Sequence, residues 1–350
     1  MPDHYVAINS FNVRRKVSLK DIAKQLNVST ALVSYVLNDK FTDRIHPETA
    51  RKIKALAEEL QYHPNQIAKS LKNNQTLTIG LIIADISNLF YSSIARVIED
   101  AAKAHKYNVI FGSADEKPEK FRELVQVFES RQVDGIILAA PAGSEEMLDY
   151  LKRRNIPFVL IDRDFPDLEQ INSITIDNYK ASWNVVAHLK KNGFKKPAMI
   201  SLATDLHHLQ ERSRGFREAA SKLMNIKTPA LIEESEEHLS EKMETVLLKL
   251  MNGKEKYDAV YFSTNKIAVD GLVVLARHKV EVPKKIGVVC FDEAEAYSIF
   301  NTSITYVKQP LADIGGQAVE LLLKKMKQDG PAKRIVLNTS LIEGNSSLLK

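Results

Sequence analysis

Residues 17–38 read VSLKDIAKQLNVSTALVSYVLN and carry the local signals of two short helices joined by a turn. Ser18 and Asp21 have the spacing of a capping box, which predicts that a helix begins immediately after Ser18. Ser29 can cap a second run of apolar residues at helical spacing, and Asn38 is a residue type that ends helices. Such a pair forms a helix-turn-helix, whose second helix fits the major groove of DNA. Short helix pairs also occur in other α-rich proteins, so these residues alone leave the function open.

A third helix and a polar segment follow this pair. Pro47 stands at a favoured first helical position, and the apolar residues of 47–60 fall on one face that can cover the first two helices. Pro64 ends or redirects this helix. The segment 65–71 has too little apolar surface to form a stable helix by itself, which predicts a linker that orders only with a partner.

The positive charge of the chain is concentrated beside these helices. The chain has 350 residues and a net charge of +5. Residues 1–75 contain 12 Lys and Arg against 7 Asp and Glu, whereas the remaining 275 residues contain 37 of each kind. A basic segment can be ordinary solvated surface, but its coincidence with a helix-turn-helix favours the neutralisation of DNA phosphates.

From Leu77 onward, short apolar runs alternate with amphipathic segments of helical length. Runs such as IGLIIA and IGVVCF have the composition of buried strands, and the regular alternation predicts doubly wound parallel sheets covered on both faces by helices. The length of this region favours two lobes. Ligands bind such folds at the carboxyl ends of the strands, and between the lobes when there are two.

No enzyme or cofactor motif accompanies this α/β pattern. The sequence contains no G-x-G-x-x-G, no G-x-x-x-x-G-K-[ST] and no G-x-S-x-G. The pair His207–His208 lacks partners at metal-site spacing and is predicted to lie on the surface, in a loop or at a helix start. Cys290, the single cysteine, lies in an apolar run, which predicts an inert buried thiol and fits a reducing compartment. No run has the length of a membrane span or of a signal-peptide core. We therefore expect a cytoplasmic protein without a catalytic centre, cofactor or metal.

An ordered series of stretches resembles the lactose/galactose-repressor (LacI/GalR) family of bacterial transcription regulators. These stretches are DIAKQLNVSTALVSYVLN, ETARKIKALAEELQYHPNQIAKSL, IGLIIADISNLFYSSIARVIEDAA, RQVDGIIL, IPFVLIDR, ITIDN, QERSRGFREA, and IGVVCFDEAE followed by ITYVKQP. The resemblance covers nearly the whole chain after residue 17. Its most family-specific part is Tyr62-x-Pro64-Asn65 followed by Ala68 and Leu71.

The resemblance implies an N-terminal all-α helix-turn-helix domain and an α/β two-lobed body similar to periplasmic binding proteins. The expected divisions are a loose extension (1–16), the helix-turn-helix domain (17–63), a hinge helix (64–76) and the body (77–350). One lobe is expected to combine 77–162 with 308–330, and the other to combine 163–307 with 331–345.

The resemblance also implies which residues contact DNA. They are Ser18, Thr30, Ala31, Leu32, Ser34, Tyr35 and Asn38 in the helix-turn-helix, and Asn65, Ala68, Lys69 and Leu71 in the hinge. The family usually has Thr and Arg where this chain has Leu32 and Tyr35. Without that Arg a bidentate contact to guanine is lost, so the operator is expected to depart from the family's usual sequence at that step. Leu32 can equally be a core residue, whereas Leu71 corresponds to a leucine that wedges between base pairs.

Between the lobes, the resemblance implies an effector site. Its expected residues are Asp85, Phe90, Tyr91, Asp162, Arg163, Arg212, Asn265 and Asp292. Most follow strands, and Arg212 is expected at the start of a helix, where polar groups can hydrogen-bond a small ligand. Each one alone could instead form a structural salt bridge or a helix cap. Thr264–Asn265 departs from the family's usual Asn-Asp pair and Asp270 replaces a usual Gly, which leaves the identity of the ligand open.

We therefore predict a homodimeric repressor that binds a pseudo-palindromic double-stranded DNA operator. A small polar effector, expected to be a carbohydrate, would control its affinity by selecting one arrangement of the lobes. Two alternatives remain at this point. One is an α/β protein that binds or modifies sugars and has an incidental basic N-terminus, and the other is an architectural DNA binder without sequence preference.

Overall fold

The computed structural model describes residues 17–62, 75–328 and 330–349, and the chain divides into two compact units, Met1–Asn74 and Gln75–Lys350. In the first unit, three helices surround a small apolar core. They are α1 (Leu19–Gln25), α2 (Thr30–Leu37) and α3 (Pro47–Glu59), with a 3-10 turn at Thr42–Arg44. The core side chains are Ile22, Ala23, Val33, Val36, Ile53, Leu56 and Ala57. The helix-turn-helix with a covering third helix is thus confirmed.

The local capping signals explain where these helices begin and end. Ser18 Oγ accepts from the backbone N–H of Asp21, and the Asp21 carboxylate accepts from the backbone N–H of Ser18 at 2.8 Å, which forms the predicted capping box. Ser29 Oγ accepts from the N–H of Leu32 at 3.1 Å and caps α2. Asn38 follows the last residue of α2 as its C-cap. Each cap satisfies backbone groups that a short helix otherwise leaves unpaired.

The second unit contains two six-stranded sheets. The first sheet has the order β11-β5-β4-β3-β1-β2 and all its pairs are parallel. Its strands are β1 (Thr78–Ile83), β2 (Asn108–Ser113), β3 (Gly135–Leu138), β4 (Phe158–Ile161), β5 (Ser173–Ile176) and β11 (Arg334–Leu337). The second sheet has the order β12-β10-β9-β8-β6-β7. Its strands are β6 (Pro197–Leu202), β7 (Ala230–Glu234), β8 (Ala259–Phe262), β9 (Gly287–Phe291), β10 (Thr305–Lys308) and β12 (Ser340–Ile342).

Helices cover both faces of these sheets. They are α4 (Leu89–Ala104), α5 (Pro118–Ser130), α6 (Glu145–Arg153), α7 (Asn178–Lys191), α8 (His207–Met224), α9 (Glu236–Asn252), α10 (Asn265–Arg277) and α11 (Leu311–Met326). Successive residues of the central strands belong to cores on opposite faces: Leu81 lies in one apolar cluster and Ile82 in another. This double burial is why the strands read as continuous apolar runs rather than alternating ones. Cys290 is fully buried in β9, as predicted.

The expected lobe boundaries are wrong at two places. β5 pairs with β4, and β11 pairs with β5, so both strands belong to the first sheet although 163–307 and 331–345 were assigned to the second lobe. The chain therefore passes between the lobes after β5, after β10 and after β11. The sheets are also not wholly parallel, because β12 returns from the first lobe and pairs antiparallel with β10. Among the described residues, no helix is long and apolar enough to cross a membrane.

Candidate functional site

The second helix of the first unit presents a polar face at its N-terminal end. Thr30 and Ala31 are exposed in its first turn, and Tyr35 is 40% exposed one turn later, with Ser34 half-buried beside it. Val33 and Val36 point into the core on the opposite side. The helix therefore buries one stripe and leaves the predicted contact residues accessible from one side.

The remaining predicted contacts of this domain have local structural roles as well. Leu32 is half-buried and packs against the domain core, so its side chain has the environment of the core alternative. Asn38 Nδ2 donates to the carbonyl of Ser34 at 2.7 Å and closes the end of α2. Ser18 is exposed but engaged in the capping box. Asn65, Ala68, Lys69 and Leu71 lie outside the described residues.

An exposed aromatic cluster next to α2 escaped the sequence analysis. The rings of Tyr35 and Phe41 meet edge to face with centroids 5.0 Å apart, and Phe41 is 51% exposed. The guanidinium carbon of Arg44 lies 5.9 Å from the centre of the Phe41 ring. This cluster holds Tyr35 in place on the accessible side of α2. The only sequence signal for this cluster is Phe41 itself, an aromatic residue in an otherwise charged loop.

A cleft between the two lobes of the body contains every predicted effector residue. Its volume is about 320 Å³. The predicted residues that line it are Asp85, Phe90, Tyr91, Asp162, Arg163, Arg212, Asn265 and Asp292. The sheets explain this convergence, because Asp85, Asp162 and Asp292 each follow a parallel strand at its carboxyl end. The cleft is of a size that suits a small ligand, since ligand pockets start at about 300 Å³.

A hydrogen-bonded network forms the first-lobe wall. Tyr91 Oη donates to Asp162 Oδ2 at 2.7 Å, and Arg163 Nε donates to Tyr91 Oη at 3.1 Å. The Arg163 guanidinium also binds both carboxylate oxygens of Glu116, at 2.7 and 2.5 Å. Burial raises the pKa of Asp162, and the charge of Arg163 opposes that shift. Phe90 packs edge to face on Tyr91 with ring centroids 5.0 Å apart, which gives this wall an apolar surface as well.

Arg212 and Asp292 form the core of the second-lobe wall. Arg212 Nε donates to Asn178 Oδ1 and its Nη1 donates to the carbonyl of Ser263, both at 2.8 Å. Its guanidinium lies 3.4 Å above the ring of Phe291. Burial raises the pKa of Asp292 to about 6, and the neighbouring charge of Arg212 opposes that rise. Arg212 lies inside α8, five residues after its first residue, so the expectation that it starts the helix is wrong.

Asp162 and Asp292 occupy equivalent positions in the two lobes. Each directly follows a central strand, β4 or β9, and each has a left-handed backbone, with φ of 65° and 63°. Asp tolerates this conformation better than most residues with a Cβ. The repeated turn aims one buried carboxylate from each lobe at the cleft.

Three buried polar atoms at the cleft have no hydrogen-bond partner within the described part of the chain. They are His208 Nδ1, Asn265 Oδ1 and Gln309 Oε1. Burial, aided by the charge of Arg212, lowers the pKa of His208 well below its usual value, so this ring is neutral near pH 7. A buried polar atom without a partner is costly, which makes these three atoms natural contacts for ligand hydroxyl groups.

Some cleft residues were missed and one pair was misjudged. His207 is exposed at the start of α8, as predicted, but His208 is buried and lines the cleft. Glu116 and Gln309 also line it, and neither carries a local sequence signal for that role. Asp270 accepts from Ser240 Oγ at 3.0 Å and does not line the cleft, so this departure from the family lies outside the expected effector site.

The chemistry of the cleft is that of recognition. It combines carboxylates, amides, a neutral imidazole and aromatic rings, which can hydrogen-bond and stack a polar ring. Across the described ranges, no group of three or more His, Cys, Asp or Glu side chains could hold a metal ion. With a helix-turn-helix in the same chain, these features define a ligand-responsive DNA-binding protein as the class.

Comparison with known proteins gives the family. The pattern of bacterial regulatory proteins of the lacI family matches residues 18–65, and that of the periplasmic binding protein-like domain matches residues 186–347. The chain is 32% identical over 333 residues to the HTH-type transcriptional regulator RegA of Clostridium saccharobutylicum, across 95% of this chain and 99% of that protein. The chain belongs to the lacI family and is a DNA-binding transcription regulator.

Solved structures share the whole architecture. The lac repressor dimer bound to operator and the anti-inducer ONPF matches with a TM-score of 0.84 at 22% identity, across 96% of this chain and 100% of that chain. The complex of the transcriptional regulator CelR with cellobiose matches with a TM-score of 0.68 at 21% identity, across 95% and 100%. At these identities the likeness shows the fold.

Proposed function

We propose that this chain is a dimeric cytoplasmic repressor whose operator affinity is set by a carbohydrate in the cleft between its lobes. The observation that carries the proposal is the cleft itself, where buried carboxylates, one from each lobe, lie beside amide and imidazole atoms that have no hydrogen-bond partner among the described residues. Hydroxyl groups donate to carboxylates and to amide oxygens, and sugars carry several in a rigid ring. The transcriptional regulator CelR, which has a similar fold, was solved in complex with cellobiose, and this supports a carbohydrate as the ligand.

The two walls of the cleft supply a route from ligand to DNA. Asp162 belongs to the first lobe and Asp292 to the second, so a ligand bound to both holds the lobes in one arrangement. A ligand shifts such an equilibrium only by its different affinity for the two arrangements. The three connections between the lobes allow the lobes to rotate relative to each other. The segment 65–71, which is expected to fold on DNA, would respond to that rotation.

A dimer follows from the expected operator. Two helix-turn-helix units related by a two-fold axis bind two half-sites of a palindrome, and each dimer contacts the same sequence twice. Ile299, 87% exposed, is the kind of apolar side chain that a subunit contact covers. The relative RegA is named as a transcriptional regulator, which supports regulation rather than sugar chemistry as the function of the cleft.

The test of this proposal is selection of DNA from a randomised pool by the full chain. We expect a two-fold symmetric sequence, bound by a dimer in light scattering, with an affinity that falls steeply with salt. Enrichment of no sequence would favour an architectural binder. Tight sugar binding without any DNA affinity would favour the sugar-binding alternative.

A further inference from the structure

Arg163 is held by Glu116 in the geometry with which arginine binds anionic ligands. The guanidinium donates from Nη1 to Glu116 Oε2 at 2.7 Å and from Nη2 to Oε1 at 2.5 Å. Its Nε donates to Tyr91 Oη, and Nη1 also donates to the carbonyl of Ala140 at 3.2 Å. Four of its five N–H groups therefore have protein acceptors. The fork that would grip a phosphate or carboxylate is already occupied.

The second arginine of the cleft is compensated in another way. Arg212 uses Nε and Nη1 for Asn178 and Ser263, and its face for the ring of Phe291. Its charge lowers the pKa of both Asp162 and Asp292 against the larger opposing effect of burial, so it acts on both buried carboxylates. Arg212 therefore balances the charge of the two buried carboxylates, and within the described residues only two of its five N–H groups have protein acceptors.

The charge count of the inner cleft is unfavourable for an anion. Three cations line the cleft, and they face five carboxylates. The cations are Arg163, Arg212 and Lys266, and the carboxylates are Asp85, Glu116, Asp162, Glu236 and Asp292. His208 adds no charge when it is neutral. A phosphate or carboxylate that enters would lose its hydration beside a net negative charge. A hydroxyl group meets the opposite situation, because carboxylates and the free Oδ1 of Asn265 accept hydrogen bonds from it.

We infer that the cleft takes a neutral polyhydroxylated sugar and rejects phosphorylated and carboxylated sugars, with Glu116 setting this selection by occupying Arg163. The inference rests on the proposed effector site and adds to it the charge of the ligand. Glu116 is a specificity-determining residue here, since its removal returns the Arg163 fork to the cleft.

The experiment compares full-length wild type with Glu116→Gln and Glu119→Gln by thermal unfolding in inorganic phosphate, against chloride at equal ionic strength. Glu119 is an exposed residue on the same segment, so its variant controls for the loss of one charge and for general salt effects. We expect Glu116→Gln to gain a saturable rise in Tm of about 2 °C or more that neither other protein shows. A phosphate response of equal size in all three proteins would overturn the inference.

A second measurement uses wild type alone and does not depend on the variant folding. Neutral sugars are compared with their own 6-phosphates and uronic acids for binding by calorimetry. We expect that binding of a neutral sugar is weakened at least tenfold by either anionic group. A sugar phosphate or sugar acid that binds more tightly than its neutral parent would refute the inference. No DNA is present in this measurement, so it tests only the charge selectivity of the cleft. The proposed function is tested separately, by whether a bound ligand changes operator affinity.

Discussion

Asn265 Nδ2 donates to Asn88 Oδ1 across the cleft at 2.9 Å. Asn88 caps α4 in the first lobe, where its Oδ1 also accepts from the N–H of Phe90 at 3.0 Å, and Asn265 is the first residue of α10 in the second lobe. A backbone N–H can only donate, so the cap fixes the orientation of the Asn88 amide. Asn265 must then present its NH₂ group to Asn88, which leaves its own Oδ1 for the ligand.

This contact predicts energetic coupling between the two residues. In a double-mutant cycle of Asn88→Ala and Asn265→Ala, the free energies of unfolding in urea should be non-additive by about 0.5–1.5 kcal/mol, the net value of one hydrogen bond. Asn192, the C-cap of α7, has its side-chain hydrogen bonds with His188 of the same helix, so a cycle of Asn88→Ala with Asn192→Ala should be additive. Additivity in the first cycle would mean that the lobes do not meet through this pair in solution.

Because burial raises the pKa of Asp292, we expect the free energy of unfolding to depend on pH. Burial raises its pKa to about 6 in the folded protein, whereas an unfolded Asp has a pKa of about 4. The folded state therefore binds this proton more tightly than the unfolded state, so protonation of Asp292 stabilises the fold. This contribution to the free energy of unfolding is complete below about pH 4 and is lost as the pH rises through 6. Asp292→Asn should therefore raise the free energy of unfolding at pH 7.5 by about 3 kcal/mol and leave it nearly unchanged near pH 4.

Urea unfolding at the two pH values measures this difference. Asp205→Asn, at an exposed position in the loop before α8, serves as the control for the loss of one carboxylate. An Asp292→Asn effect of the same size at both pH values would show that the carboxylate is not strained by burial.

We expect Tyr35 to determine part of the operator sequence that α2 prefers. Tyr35→Arg restores the residue type usual in the family and should move one symmetric operator position toward guanine, by about 1–3 kcal/mol in competition between operators. Tyr35→Phe keeps the ring that packs on Phe41 and should leave the guanine preference unchanged. If Tyr35→Arg selects the same operator as wild type, the side chain at this position does not face a base.

Leu71 predicts a separate contribution from the hinge. Leu71→Ala should weaken binding to the selected operator far more than binding to unrelated DNA, because an apolar wedge between base pairs is repaid only when the bent operator gains contacts. Fluorescence anisotropy on both DNAs measures the two affinities. An equal loss on both would exclude the wedge.

The sequence predicts best what is encoded locally. The capping residues Ser18 and Ser29 act on backbone groups three residues away, so their spacing alone locates α1 and α2. Asp85, Asp162 and Asp292 follow strongly apolar strands, and parallel topology brings strand ends together. Which of these strand ends line the same cleft was predicted from the resemblance to the family.

Features that depend on distant contacts were not predictable. β11 is short, and its membership of the first sheet rests on pairing with β5, about 160 residues earlier in the chain. Glu116 lies in an exposed charged segment, and only the fold carries it to Arg163. His208 resembles a surface residue in sequence and becomes a cleft residue because α8 turns it toward the first lobe.

Control of DNA binding by the cleft is tested by operator affinity measured with and without a sugar that raises the Tm of the free protein. We expect a saturating sugar to change the operator Kd at least tenfold, and operator to change the sugar Kd by the same factor, as thermodynamic coupling requires. Arg212→Ala, which removes the support of the second-lobe wall, should abolish this change while the sugar-free operator Kd stays as in wild type. An operator Kd that is identical with and without bound sugar would show that the cleft does not control DNA binding.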